Sequence, residues 1–135
     1  MTKPPHCSIL LSRVNKIEYR TFVESKLFER IIDDLIFKGM LTTAIFRDFQ
    51  QNLLKNPKLG KVIPGLAGLR KTRLKSSHTG KRGGFRVDYI DISEANLIHL
   101  LVIYPKSVKT DLSPDEKRII KTLVLKLKKE AKSYE

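Results

Sequence analysis

The sequence lacks most of the residues from which disulfide frameworks, metal centres and membrane anchors are built. It has a single cysteine, Cys7, which excludes an internal disulfide and an all-cysteine zinc site. Its three histidines are scattered and show no metal-ligand spacing. The longest apolar stretch, Leu97 to Tyr104, is far shorter than the roughly 20 residues that span a bilayer. We therefore expect a soluble, cytoplasmic protein without a metal or another cofactor.

Acidic residues are absent from the middle of the chain, between Asp48 and Asp88. Across all 135 residues, 27 lysines and arginines face 14 aspartates and glutamates, for a net charge of +13. The acid-free stretch contains ten of the cations: Lys55, Lys58, Lys61, Arg70, Lys71, Arg73, Lys75, Lys81, Arg82 and Arg86. Clustered cations repel one another, and a polyanion or an acidic protein partner relieves that repulsion. Composition alone leaves a charged sheet surface without any chemistry as an equal alternative.

The hydrophobic pattern predicts helices and strands from residue 19 onward. Residues 1–18 show no sustained period, and we expect them to be a poorly ordered N-terminal extension. After a short β-prone run from Tyr19 to Val23, an apolar stripe at helical spacing follows Ser25, a candidate N-cap, and stops at Gly39. The remaining predicted elements are a helix over Thr43–Lys55, a loop over 59–68, strands over 69–75, 85–92 and 97–104, and a final helix from Ser113. The third of these strands is almost continuously apolar, which predicts that both of its faces are buried and that it is central in the sheet. We expect its His99 to lie beside the core.

Alternation along two of the strands predicts a cationic surface. Lys71 and Arg73 share one face of their strand, and Arg86 lies opposite the apolar face of the next strand. If the two strands pair as a hairpin, these three side chains converge. The connecting loop, GKRGG at 80–84, suits backbone phosphates, but it lacks the glycine spacing and the Ser or Thr of a P-loop.

Four segments together resemble the HigB-like branch of the RelE/ParE toxin superfamily. They are NPKLGxVIPGxxGLRKxR at 56–73, GKRGGxRV at 80–87, LLxIYxK at 100–106 and DLS at 111–113. The resemblance covers about residues 19–129 and implies a compact α+β domain over 19–135. The implied order is β-α-α-β-β-β-α, with a mainly antiparallel four-stranded sheet packed with helices.

The resemblance also implies a function. Members are toxins of type II toxin–antitoxin pairs, and RelE-type members cut mRNA in the ribosomal A site. The implied partners are a cognate antitoxin, expected to be a small helix-turn-helix protein, together with the ribosome and mRNA, and no membrane is implied. Two alternatives stay open: a ParE-like toxin that inhibits a protein target such as gyrase without cutting RNA, and an inactive nucleic-acid-binding remnant.

Transferred by motif position, the catalytic residues fall on Lys71, Arg73, Arg86 and Lys106. Contacts to RNA or the ribosome are expected from four further cations, Arg70, Lys75, Lys81 and Arg82. An arginine can bind two phosphate oxygens at once, which suits Arg86 to a phosphorane, and Lys71 is the candidate general acid or base.

The sequence departs from the RelE pattern near the last helix. Where some members carry a tyrosine that helps to activate the 2′-hydroxyl, this chain has Ser113, and the identity of the base is therefore open. Tyr104 is an auxiliary candidate, or else a core or rim residue. Asp88 is a second auxiliary candidate, which we expect to orient Arg86 or Arg73 through a salt bridge.

Overall fold

Three helices and five strands make up the fold in a computed structural model, which describes residues 20–77 and 84–132. In chain order they are β1 (Thr21–Glu24), α1 (Lys26–Phe37), α2 (Thr43–Lys55), β2 (Lys61–Val62), β3 (Arg70–Leu74), β4 (Phe85–Ile92), β5 (Leu97–Pro105) and α3 (Pro114–Lys132). The predicted α+β class is confirmed. The predicted element order is wrong in one place, because the 59–68 segment contains the short strand β2. The expected extension at 1–18 and the 78–83 part of the hairpin loop lie outside the described residues.

The sheet has five strands in the order β1-β5-β4-β3-β2. β1 runs parallel to β5, and the other neighbouring strands are antiparallel. The expectation of four mainly antiparallel strands is therefore corrected to a five-stranded mixed sheet. β5 has a neighbouring strand on each side and is buried over most of its length, as its continuous apolar pattern predicted, but the central strand is β4.

Polar side chains define the starts of the helices. The Ser25 hydroxyl accepts a hydrogen bond from the backbone N–H of Phe28 at 3.0 Å, and Thr42 caps α2 in the same way. At α3 the Glu116 N–H donates to the Ser113 hydroxyl (3.2 Å), and the Ser113 N–H donates to the Glu116 carboxylate (2.8 Å). This reciprocal capping box satisfies donors that a helix start leaves free.

Apolar side chains form a core on each face of the sheet. The first core lies between the sheet and helices α1 and α2, and its strand residues include Leu74, Phe85, Val87, Tyr89, Leu100 and Ile103. The second lies beneath α3 and includes Ile63, Leu66, Leu69, Ile90, Ile92, Leu101, Tyr104, Leu112, Ile120 and Val124. On the α3 side, this core uses the half of β4 that contains Ile90 and Ile92. The half of β4 with Arg86 is on the same face but outside this core.

The residue before β1, Arg20, is fixed to the central strand of the sheet by a buried ion pair. Arg20 Nε lies 2.7 Å from the Asp91 carboxylate of β4, and both side chains are at most 5% exposed.

Among the helices of the described ranges, none is long and apolar enough to cross a membrane.

Candidate functional site

The pairing of β3 with β4 brings the predicted cations together. In this register Arg73 lies opposite Arg86, and Lys71 lies opposite Asp88. Directly opposed residues of antiparallel strands share a face, with Cβ atoms about 4.5–5.5 Å apart. Lys71, Arg73 and Arg86 therefore occupy one surface. The alternation of side chains along the two hairpin strands predicted this arrangement.

This surface forms an open groove of about 410 Å³. Its lining comes from the 59–61 segment, the two hairpin strands and the residue after β5: Leu59, Gly60, Lys61, Lys71, Thr72, Arg73, Phe85, Arg86 and Lys106. All of these residues lie in strands or loops, so the described helices leave the groove uncovered. Lys106, predicted from the resemblance, lies at its edge, where its N–H donates to the Gly84 carbonyl at 3.1 Å.

Lys61 is a groove cation that the sequence reasoning missed. The two-residue strand β2 places Lys61 opposite Lys71, so both side chains lie on the groove side of the sheet. A strand of two residues is too short to show alternation. The usable signal was charge alone, since Lys61 belongs to the acid-free stretch.

Beneath the groove lies a cluster of buried polar side chains without hydrogen-bond partners. The carboxylate oxygens of Asp88, Nη1 of Arg86 and the hydroxyl of Tyr104 are all buried, and none has a partner in the described part of the chain. Asp88 is 0% exposed and Tyr104 is 6% exposed. The register places Tyr104 of β5 opposite Arg86. Unpartnered buried polar groups are few in native proteins, so three in adjacent positions call for a specific explanation.

The expected salt bridge from Asp88 to Arg86 or Arg73 is not formed. Sheet geometry explains the difference. Asp88 and Arg86 are alternate residues on one strand, about 7 Å apart along it. Arg73 lies opposite Arg86 rather than opposite Asp88, and its exposed side chain is at the surface while the carboxylate is enclosed.

Burial controls the protonation of this cluster. It raises the pKa of Asp88 from 3.8 to about 6; the positive charges of Arg86 and Lys71 oppose that rise, and the negative charge of Asp111 adds to it. Burial, and then the charge of Asp88, raise the pKa of Tyr104 above its ordinary value of 10.0. Tyr104 therefore keeps its proton at neutral pH and can act as a hydrogen-bond donor, not as a phenolate base.

Ion pairs neutralise the charges beside Tyr104. Lys109 Nζ lies 5.0 Å from the centre of the Tyr104 ring and 2.6 Å from the Glu116 carboxylate. Asp111, in the segment before α3, pairs with Lys117 at 3.4 Å. Ser113 lies between these pairs, and its hydroxyl accepts the Glu116 N–H as part of the helix cap.

Hydrogen bonds from β3 and β4 hold the 57–61 segment at the groove wall. The Tyr89 hydroxyl accepts from the Gly60 N–H at 2.8 Å and donates to the Pro57 carbonyl at 2.9 Å. Arg70 Nη1 donates to the Gly60 carbonyl at 2.7 Å and to the Lys58 carbonyl at 3.3 Å. A Cβ at Gly60 would lie 2.6 Å from the backbone carbonyl oxygen of Lys71, so only glycine fits this approach.

Arg70, which the sequence analysis proposed as a contact to RNA or the ribosome, makes these hydrogen bonds within the protein. Arg70 lies opposite Tyr89, on the side of the sheet away from the groove, and it is absent from the groove lining.

Lys75 lines a second pocket of about 270 Å³ between α2 and β3, which also includes Arg73. Lys81 and Arg82 lie outside the described residues.

His99 lies in the α3-facing half of the molecule, and burial lowers the pKa of its imidazole. Only 9% of the His99 residue is exposed, which agrees with the predicted core-adjacent position.

Within residues 20–77 and 84–132, no group of three His, Cys, Asp or Glu side chains could hold a metal ion.

Comparison with known proteins gives a distant likeness. No family model matches the sequence. The chain is similar to a solved structure of the Escherichia coli toxin RelE, a mutant with two arginines replaced by alanine, in the free state. The TM-score is 0.45, the sequence identity is 15%, and the match covers 67% of this chain and 87% of that chain.

Proposed function

We propose that this protein is the toxin of a type II toxin–antitoxin pair, of the HigB-like branch, and that it cleaves mRNA on the ribosome. The observation that carries the proposal is the uncovered groove in which Lys71, Arg73 and Arg86 share one face of two paired strands. The motifs at 56–73 and 80–87 support the same function by resemblance.

The groove offers the functional groups that RNA cleavage by the 2′-hydroxyl requires. The 2′-oxygen loses its proton to a base and attacks phosphorus, the bond to the 5′-oxygen breaks, and an acid protonates the leaving oxygen. Two negative charges develop on the phosphorane between these events. Arg86 and Arg73 can donate to its oxygens, and Lys71 is the candidate general acid or base. Lys106 adds a cation at the groove edge.

A site made of lysines and arginines suits a substrate that another particle positions. The cations bind phosphate, but no described histidine lines the groove to move protons near neutral pH. Correct placement of the reacting atoms can supply much of the rate enhancement. Placement of the mRNA by the ribosome therefore fits this groove, and slow cleavage of free RNA is the expected corollary.

The same surface suits an antitoxin with acidic and apolar side chains. Acidic groups would offset the charges of the groove, which otherwise repel one another. Leu59 at the groove wall and Val62 of β2 are about half exposed, at 50% and 49%, and offer apolar contacts beside the cations. A small helix-turn-helix protein from a neighbouring gene is the proposed partner.

Induction of the protein in growing bacteria, followed by mapping of mRNA 5′ ends, tests the proposal. New ends within codons of translated messages, together with growth arrest, are the expected result. Markers of DNA damage without new mRNA ends would instead favour inhibition of gyrase. Normal growth would favour an inactive remnant, and either of these outcomes overturns the nuclease proposal.

A further inference from the structure

A carboxylate buried among cations is the feature of this groove that RNA cleavage does not require. Asp88 is fully buried directly behind the groove wall, and neither of its oxygens accepts a hydrogen bond. An ionised carboxylate in such a place is costly unless a charge or a hydrogen bond compensates it. Its compensation here must come from the electrostatic field of nearby cations, and two of these, Lys71 and Arg86, line the groove.

We propose that Asp88 takes up a proton when a phosphate group binds in the groove, so that the groove binds its anion together with a proton. This inference rests on the proposed function for the identity of the anion, the phosphate backbone of RNA. It concerns a binding property and does not assign Asp88 a contact with the reacting atoms.

The surroundings of Asp88 determine the direction of the effect. Groups from its own strand, from both neighbouring strands and from the segment before α3 act on it: Arg86, Lys71, Tyr104, Lys109 and Asp111. Of the cations, Lys109 is paired with Glu116. Lys71 and Arg86 line the groove and are therefore available to an incoming phosphate.

A bound phosphate acts on Asp88 in two ways. Its negative charge disfavours a second negative charge nearby, and it engages the same cations that stabilise the carboxylate. Both effects favour the protonated acid. The pKa of Asp88 is about 6 in the free protein, so a further rise of roughly one unit would protonate about half of the molecules at pH 7.

Two consequences distinguish this arrangement from a purely cationic groove. Affinity for RNA should increase as the pH falls through neutrality, because the proton removes a charge that opposes binding. Replacing Asp88 by asparagine should fix the neutral state, so that the affinity becomes high and independent of Asp88 titration.

The test is equilibrium binding of a short single-stranded RNA, 2′-O-methylated to prevent cleavage, at fixed ionic strength between pH 5.5 and 8.0. Wild-type affinity should fall about five- to tenfold over this range, the size expected for one group shifted by up to one unit. Asp88→Asn should bind at pH 8.0 about five- to tenfold more tightly than the wild type. Asp33→Asn is the matched control, because it removes the same charge from an exposed position on α1, and it should follow the wild-type profile.

Calorimetry of the same binding reaction in buffers of different ionisation enthalpy measures proton uptake directly. The wild-type measurement does not depend on whether the variant folds. Net proton uptake by the wild type near pH 6.5, reduced in Asp88→Asn, is the expected result. Both proteins retain all three histidines of the chain, so histidine titration cancels in the comparison.

Each contrary outcome is informative. Binding that is independent of pH in the wild type, or equal pH dependence in Asp88→Asn and the wild type, overturns the inference and leaves the proposed nuclease function untouched. Failure of the wild type to bind RNA at any pH overturns the inference, and the cleavage assay on programmed ribosomes then decides the proposed function separately. Absence of proton uptake in calorimetry overturns the inference even if Asp88→Asn does not fold.

Discussion

Replacing Asp88 by asparagine should stabilise the protein at neutral pH and have little effect at pH 4. The folded protein holds Asp88 at a pKa of about 6, whereas an unburied aspartate titrates near 3.8. A group with a raised pKa in the folded state binds its proton more tightly there. The free energy of unfolding therefore falls as the pH rises from about 4 to about 6, and stays lowered above that.

The magnitude follows from the size of the shift. The difference between 6 and 3.8 is about 2 pKa units, and each unit corresponds to about 1.4 kcal/mol, so ionisation of Asp88 costs roughly 3 kcal/mol of stability at pH 7. Asparagine has nearly the shape of the protonated acid and does not ionise. The stability of Asp88→Asn relative to the wild type should therefore increase by about 3 kcal/mol between pH 4 and pH 7.

Urea denaturation followed by circular dichroism at pH 4, 5, 6, 7 and 8 measures this difference. Taking the difference between variant and wild type at each pH removes the contributions of the other titrating groups. Asp33→Asn, at an exposed site, should show a small difference that hardly changes with pH. A constant difference between Asp88→Asn and the wild type across the range would refute the assignment of a buried carboxylate without a hydrogen-bond partner at this position.

Three further outcomes are expected. Tyr89→Phe should lower the free energy of unfolding in urea by about 1–3 kcal/mol, because it leaves the buried Gly60 N–H and the Pro57 carbonyl without their partner; an unchanged midpoint would contradict this role. Ser113→Ala should cost about 1 kcal/mol in the same assay through loss of the α3 cap, and no loss would show that the cap contributes nothing. A chain that begins at Tyr19 should retain its circular dichroism spectrum and its inhibition of growth; loss of either would place residues 1–18 within the functional domain.

Local structure was the part of this fold that the sequence predicted well. The apolar stripe and the breaker at Asn56 predicted a helix over Thr43–Lys55, and α2 has these bounds. The strand predicted after the glycine pair, Phe85–Ile92, also has the bounds of β4. Capping at Ser25 and Ser113 depends on residues within three positions of the helix start. The local sequence was therefore sufficient to predict both caps.

Long-range pairing could not be predicted in the same way. The parallel contact between β1 and β5 joins segments about 75 residues apart, and β2 consists of only two residues. Neither leaves a periodic signal in the sequence. For Arg70, composition indicates a cation in an acid-free stretch, but it gives no sign of the hydrogen bonds that this side chain donates to the carbonyls of Gly60 and Lys58.

The groove itself was partly predictable. Alternation along β3 and β4 was enough to place Lys71, Arg73 and Arg86 on one face, since that inference needs only the pairing of adjacent strands. The state of Asp88 was not predictable, because alternation along β4 assigns it to the same face as Arg86 and does not show that this part of the face is enclosed. At an exposed edge of the sheet, an aspartate among cations would form a solvated ion pair. In the interior, the Asp88 carboxylate has no hydrogen-bond partner within the described residues.

Single-turnover cleavage of mRNA on programmed ribosomes, comparing the wild type with Arg86→Ala, tests the central claim most directly. Arg86 Nη1 has no partner within the described residues, so truncation breaks no hydrogen bond at that atom. It also removes a charge that offsets Asp88, so circular dichroism and the urea midpoint are measured on the same protein to show that the fold persists. Loss of one donor to the transition state should slow cleavage by roughly 10²–10³-fold. Arg118→Ala, which removes an exposed arginine of α3, is the matched control and should cleave at the wild-type rate. Cleavage at the full rate by folded Arg86→Ala would contradict the assignment of this groove as the catalytic site.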